Sequence, residues 1–241
     1  MIRCCTIFFL LLVFDELQAQ QTFVSNGKIT FEKKINIQRS MAELDIPDDA
    51  KAKIEKYNIS NWELLFNATT ALYRSKKTGE DQSKGQFYTD FEHRKRVIKR
   101  NVFDETYLLS DTIVHTDWKI THDIRTIAGY DCRKAITRIN DTVYVIAFYT
   151  DEILLRGGPE GFNGLPGMIL GLAIPRYNTT WFATGVEGFL NLNTEIIAPS
   201  KGIKLQTEKE KAKLIGVVTR FFPDKKGKEA EAKRYLYGLT L

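Results

Sequence analysis

Apolar residues recur at every second position along most of this chain. In NGKITFEKKINIQ they fall at Ile29, Phe31, Ile35 and Ile37, with Lys33 interrupting the series, which is the pattern of a half-buried strand. NWELLFNATTALYRS alternates at Trp62, Leu64 and Phe66 and continues through Leu72. GQFYTDFE, RKRVIKRNVF, TYLLSDTIVH, WKITHDIRTIAG, YDCRKAITRI and TVYVIAFYT then follow in close order, and GMILGLAIP, TTWFATGV and LNTEIIA add three further strands. Short strands so spaced predict a mainly β protein, built on a large curved antiparallel sheet or half-open barrel. KTGEDQSKG reads as a polar loop, and Asn140-Asp141 as a tight hairpin turn.

Two regions break the two-residue period. Pro47 followed by Asp48 and Asp49 signals a helix start, with Ile46, Ala50, Ile54 and Tyr57 near one face, so a short amphipathic helix is expected to cover part of the sheet. Near the C-terminus the chain turns lysine- and glutamate-rich. Thr207 with Glu210 three residues on forms a capping box, which predicts one or two helices within residues 206–241, separated at Pro223-Asp224. No internal repeat and no low-complexity linker divides residues 20–241, so a single domain is expected.

The first nineteen residues change the picture of where the protein works. Arg3 precedes an apolar run from Thr6 to Phe14, and Ala19 closes the segment, the plan of a secretory signal peptide. The run is about half the ~20 residues a spanning helix needs, so a permanent anchor is not expected. Of three cysteines, only Cys132 lies beyond this segment, and one cysteine closes no intrachain disulfide. The formal charge of +5 suits solubility and anionic surfaces without calling for nucleic acid.

GGPEGFNGLPGMILGL, Gly157 to Leu172, is the densest glycine stretch. It lacks the lysine of a phosphate-binding P-loop, the G-x-G-x-x-G spacing of a dinucleotide site and the serine of a nucleophile elbow. It does carry turn chemistry. Pro166 and Gly167 suit the centre of a type II turn over Leu165–Met168, and Gly157-Gly158-Pro159 makes a second bend. Phe162 and Leu165 are expected to plug the loop against the sheet, and Met168-Ile169-Leu170 to form a strand buried on both faces. A structural corner is therefore preferred to a reactive site. Glycine's close backbone approach still allows the corner to touch a ligand.

GPEGFNGLPGMIL resembles the signature of the GLPGLI family, through Gly158, Pro159, Phe162, Gly164, Leu165, Pro166, Gly167, Met168 and Ile169. DWKITHDIRTIAGYDCRKAITRI is similar to the family's second signature, through Trp118, Ile120, Ile127, Gly129, Tyr130, Cys132, Lys134 and Ala135. An early strand with Gly27, Ile29, Phe31 and Glu32 adds to the likeness; Met168 stands where leucine is usual and Arg133 where lysine is common. The resemblance implies an exported, mostly β protein of Gram-negative bacteria, periplasmic or held at the outer membrane, often associated with outer-membrane transport. It implies no enzyme activity and no cofactor.

Several residue groups are candidates for chemistry. Cys132 could be a thiol nucleophile with His115 or His122 as base, but on an alternating strand it more naturally packs as a small hydrophobe. His115, Asp117 and His122, with His93, could hold zinc or copper, although no H-E-x-x-H or H-x-H cluster is present. Asp151-Glu152 and Glu160 read as solvated strand ends rather than a glycosidase pair. The basic run Glu92–Arg100 reads as an edge strand, or as a contact for lipid phosphates. Trp62, Phe66, Phe87, Tyr88, Trp118, Phe148, Trp181 and Phe182 either fill the core or line a cavity. The expected function is thus a non-catalytic envelope protein that binds a hydrophobic ligand or an outer-membrane transport partner, with Phe162, Leu165, Trp118 and Tyr130 as the contact candidates. The alternative is metal handling by His115 and His122.

Overall fold

A computed structural model describes residues 22–41, 47, 50, 52–76, 85–139, 143–221 and 228–237. The segment read as a signal peptide lies outside the described residues, as do the turn expected at Asn140-Asp141, the break expected at Pro223-Asp224, residues 77–84 of the expected polar loop and much of the helix expected after Pro47.

Twelve strands form one sheet: β1 (Gly27–Asn36), β2 (Tyr57–Phe66), β3 (Thr70–Ser75), β4 (Gln86–Asp90), β5 (Lys95–Val102), β6 (Glu105–Thr112), β7 (Lys119–Ile127), β8 (Tyr130–Ile139), β9 (Val143–Thr150), β10 (Met168–Ile174), β11 (Thr179–Gly188) and β12 (Ile203–Leu205). Their order is β12-β6-β5-β4-β3-β2-β1-β11-β10-β9-β8-β7. Two meanders therefore meet where β1 pairs antiparallel with β11, and only the short β12 runs parallel to its neighbour β6. The fold is the mainly β, open, antiparallel sheet that the alternating pattern predicts. Among the described residues, three α-helices accompany it: α1 (Ile37–Ser40), α2 (Glu208–Thr219) and α3 (Lys228–Tyr237).

Local chemistry sets the turns. NWELLFNATTALYRS does not run on through Leu72 as one strand, because Asn67 breaks it. The Asn67 Oδ1 accepts from the N–H groups of Thr69 and Thr70 and from the Thr70 hydroxyl, closing an Asx-type turn between β2 and β3. Between β7 and β8, Ala128 and Gly129 have φ values of 49° and 88°, and positive φ at both positions is what a two-residue hairpin turn needs. Ile139 pairs with Val143, on either side of the undescribed residues 140–142.

Three further expectations are corrected. Ile37 is not a strand residue: Asn36 accepts from the Arg39 N–H and caps α1 at that point. LNTEIIA is no strand either. The Ile196 N–H donates to the Leu192 carbonyl, so the segment makes a helical turn that packs Leu192 and Ile196 on Leu65 and Leu72. The basic run Glu92–Arg100 is not an edge, since β5 lies between β4 and β6. On β5, Arg96 and Arg100 share the face of Ile98 and Val102, which are 1% and 3% exposed, so both arginines turn inward.

One continuous core joins both meanders, from Ile29, Phe31 and Leu64 to Val145, Leu172 and Trp181. The C-terminal helices complete it with Leu214 and Val218 from α2 and Ala232 and Leu236 from α3. The capping box forms as expected: Thr207 Oγ accepts from the Glu210 N–H, and the Glu210 carboxylate accepts from the Thr207 and Gln206 N–H groups. α3 then bridges the meanders. Arg100 Nε donates to the Leu236 carbonyl (3.2 Å), Tyr235 donates to the Asn101 carbonyl (3.1 Å), and the Arg234 guanidinium sits 4.1 Å from the Tyr177 ring centre.

Candidate functional site

The glycine corner links β9 to β10. Its first bend is a tight turn at Pro159–Gly161, in which Glu160 takes a left-handed φ of 54°. Phe162 and Leu165 are each 1% exposed, the plugs that a glycine-rich loop requires to stay ordered. The second bend is tighter than the type II turn expected over Leu165–Met168. The Gly167 N–H donates to the Leu165 carbonyl (2.8 Å), a three-residue turn centred on Pro166. Gly167 then runs past β9 so closely that a Cβ there would stand 2.0 Å from the Thr150 carbonyl oxygen. Met168, Ile169 and Leu170 are fully buried, as a strand covered on both faces must be. Further along β10, Gly171 leaves the space that the Ile127 side chain reaches into from β7.

Glu160 is not on a solvated strand end. Its residue is 4% exposed, and its carboxylate pairs with the Lys33 ammonium. Lys33 sits on the inward side of β1 with Ile29 and Phe31, between two indoles, 4.9 Å from the Trp181 ring centre and 5.6 Å from that of Trp62. Trp62 stacks on Tyr73 at 5.0 Å, and the Tyr73 hydroxyl is enclosed beside Trp181. Among the described residues, neither Tyr73 Oη nor Trp181 Nε1 reaches hydrogen-bond geometry. Burial pushes the Tyr73 phenol well above its ordinary pKa, and the nearby Glu160 charge adds to the shift. The buried Lys33–Glu160 pair clamps the corner to β1.

Outside the corner lies an open groove of about 580 Å³ beside β7, β8 and β9. Trp118 links the two: its indole N–H donates to the Asn163 carbonyl (2.8 Å), and its ring lies 6.3 Å from that of Phe162. Thr137 Oγ donates to the Asp117 carbonyl (2.6 Å), fixing the entry into β7. Tyr144, half exposed, faces Arg138 across the β8–β9 pair, with the guanidinium 4.6 Å from the ring centre and donating to the phenol oxygen. A second hollow, of about 320 Å³, surrounds Tyr57, whose ring carries the Lys34 ammonium at 4.1 Å.

The remaining sequence candidates sort by placement. Tyr130 is half-buried at the β7–β8 turn, and Lys134 pairs with Asp123 across that hairpin (2.9 Å), holding the Asp123 carboxyl below its ordinary pKa. Cys132 is fully buried with its sulfur against the Tyr130 carbonyl (3.5 Å), and burial pushes its thiol up to about 12. It packs as a small hydrophobe and forms no thiolate at neutral pH. His115 Nε2 and Asp117 Oδ1 come within 3.1 Å on an exposed segment, whereas His122 sits apart on β7. His93 caps a turn against Asp90. Among the described residues, no three His, Cys, Asp or Glu side chains gather to hold a metal ion. Sequence reasoning missed Lys33 with Glu160 and Arg138 with Tyr144. Lys33 at an inward position of a period-two series was a usable signal; exposed Tyr144 gave none.

Residues 93–206 match the family described as N-glycanase peptide, N-terminal domain. No curated protein matches the chain. Two solved structures of PNGF-II, in C2 and P21 space groups, align with TM-scores of 0.56 and 0.57, each at 16% identity and over 78% of this chain. The alignment covers 32% and 33% of those chains, so this protein spans about a third of the length of the PNGF-II structures it is similar to. At that identity the likeness is one of fold.

Proposed function

We propose that this chain is an exported, non-catalytic module of the cell envelope that acts by binding, and that it engages a partner from its outer surface. The observation that carries this is the close packing of the aromatic candidates among the described residues. Trp62, Phe66, Phe87 and Trp181 are at most 4% exposed, Phe162 and Leu165 plug the corner, and α3 bridges the two meanders. Hydrophobic cargo would have to displace these groups first. The export signal in residues 1–19 and the GLPGLI-like motifs support an envelope setting, periplasmic or at the outer membrane. The chain is similar to an N-terminal domain of an N-glycanase and to about a third of the PNGF-II chains, and a binding module beside other components is our reading of that partial likeness.

Exposed aromatic pairs offer contact area. Phe103 and Phe221 are 59% and 68% exposed with ring centres 4.4 Å apart, beside a hollow of about 210 Å³. Immobilised protein exposed to detergent-solubilised envelope fractions should retain a protein or glycoprotein partner saturably. Recovery of lipid alone would favour the cargo function. The second reading is metal handling by His115 and His122. It requires a tight one-to-one zinc or copper species in native mass spectra that His115→Ala abolishes.

A further inference from the structure

We propose that the groove beside the glycine corner is a saccharide-binding site, in which a pyranose ring stacks on Tyr144 and its hydroxyls bond to Arg138, Asp117 and Lys119. The assignment rests on the binding role above and names the ligand class. Its volume of about 580 Å³ lies within the ~300–1,000 Å³ of ordinary small-ligand sites. Its parts are also fixed in advance. Trp118 is held by the Asn163 carbonyl, Thr137 holds the Asp117 backbone, and Arg138 holds the Tyr144 phenol from the neighbouring strand. Such fixing keeps the ordering cost of binding small.

The chemistry selects the ligand class. A half-exposed phenol ring offers an apolar face for the C–H face of a sugar by dispersion. The Asp117 side chain is 97% exposed and accepts from paired hydroxyls, while the planar Arg138 guanidinium donates to them. Lys119 and the Thr121 hydroxyl extend the polar rim. Charges of both signs line the groove, which suits a polyhydroxylated ligand better than a polyanion or a lipid tail. The second hollow, around Tyr57, has lysines at 4.1 Å and 5.4 Å from that ring and Arg39 in its lining. It is a cationic counterpart and therefore a matched control.

The test is an array of neutral and sialylated oligosaccharides probed with wild-type protein and with Tyr144→Ala, Arg138→Lys and Tyr57→Ala, each first checked for an unchanged Tm. Wild type and Tyr57→Ala should retain the same glycans, Tyr144→Ala should lose at least about tenfold in affinity, and Arg138→Lys should fall between them because it keeps the charge but not the fork. Retention of neutral glycans and retention of sialylated ones both support the site and divide its specificity. No glycan retained by wild type, equal retention by Tyr144→Ala, or Tyr144-dependent retention of unglycosylated peptides instead would overturn it. An envelope partner captured equally by wild type and Tyr144→Ala would leave the binding role standing and remove the saccharide site.

Discussion

Three glycines separate the physical reasons for that residue. At Gly167 a side chain meets backbone, with the Thr150 carbonyl oxygen 2.0 Å from any Cβ. Gly167→Ala should therefore lower stability by more than ~3 kcal/mol, since backbone must move to admit it. At Gly129 the surroundings are open but φ is 88°, so Gly129→Ala should cost only about 1 kcal/mol. Gly185 has neither constraint, and Gly185→Ala should be neutral or slightly stabilising. Urea unfolding midpoints at constant m-value check the ranking; equal losses at all three positions would contradict it. Cys132 gives a pH test. Its folded thiol titrates near 12, above the unfolded value, so its contribution is complete below about pH 9 and is lost as pH rises toward 12. At pH 8, iodoacetamide should leave Cys132 unlabelled in the native protein and modify it once urea unfolds the chain, as read by peptide mass. Rapid labelling of native protein would contradict the burial. The corner's plugs were legible because a loop so rich in glycine needs apolar residues to hold it, and Phe162 and Leu165 are each 1% exposed. The buried Glu160 was not, because its partner Lys33 lies 127 positions away.

Elements were legible where the period was long enough to count. Eleven strands have at least five residues, and their alternating faces appear directly in the chain. β12 has three residues and carries no period, so nothing in the chain marks it. LNTEIIA misleads for a related reason: Leu192 and Ile196, four apart, lie together on one helical turn and bury against β2 and β3, satisfying in a turn the apolar pattern of a strand. The capping box at Thr207 was readable and can be tested. Thr207→Ala should cost about 1 kcal/mol. Because backbone N–H groups of Thr207 and Gln206 hold Glu210 below its ordinary pKa, the cap's support is present above that ordinary value and lost as pH falls through the lowered one. Leu236→Ala removes a fully buried side chain from α3 and should cost about 2–5 kcal/mol. Hydrogen exchange should also quicken around Arg100 and Asn101, where α3 meets β5. Unchanged exchange there would mean that α3 does not brace the sheet.

At the scale of the whole molecule, the chain pattern predicts a meandering open sheet, but not how its halves join. The β1–β11 pairing, Lys28 opposite Glu187 and Phe31 opposite Ala183, brings together residues far apart in sequence, and no local signal sets that register. The join places the corner, the Lys33–Glu160 clamp and α3 inside one continuous core, so among the described residues side chains pack where a carrier would hold cargo. A fluorescent fatty-acid probe titrated into micromolar protein tests this most directly. The expected result is no saturable signal from the folded protein. One-to-one uptake that envelope lipid extract displaces would contradict a filled interior and return the function to hydrophobic transport.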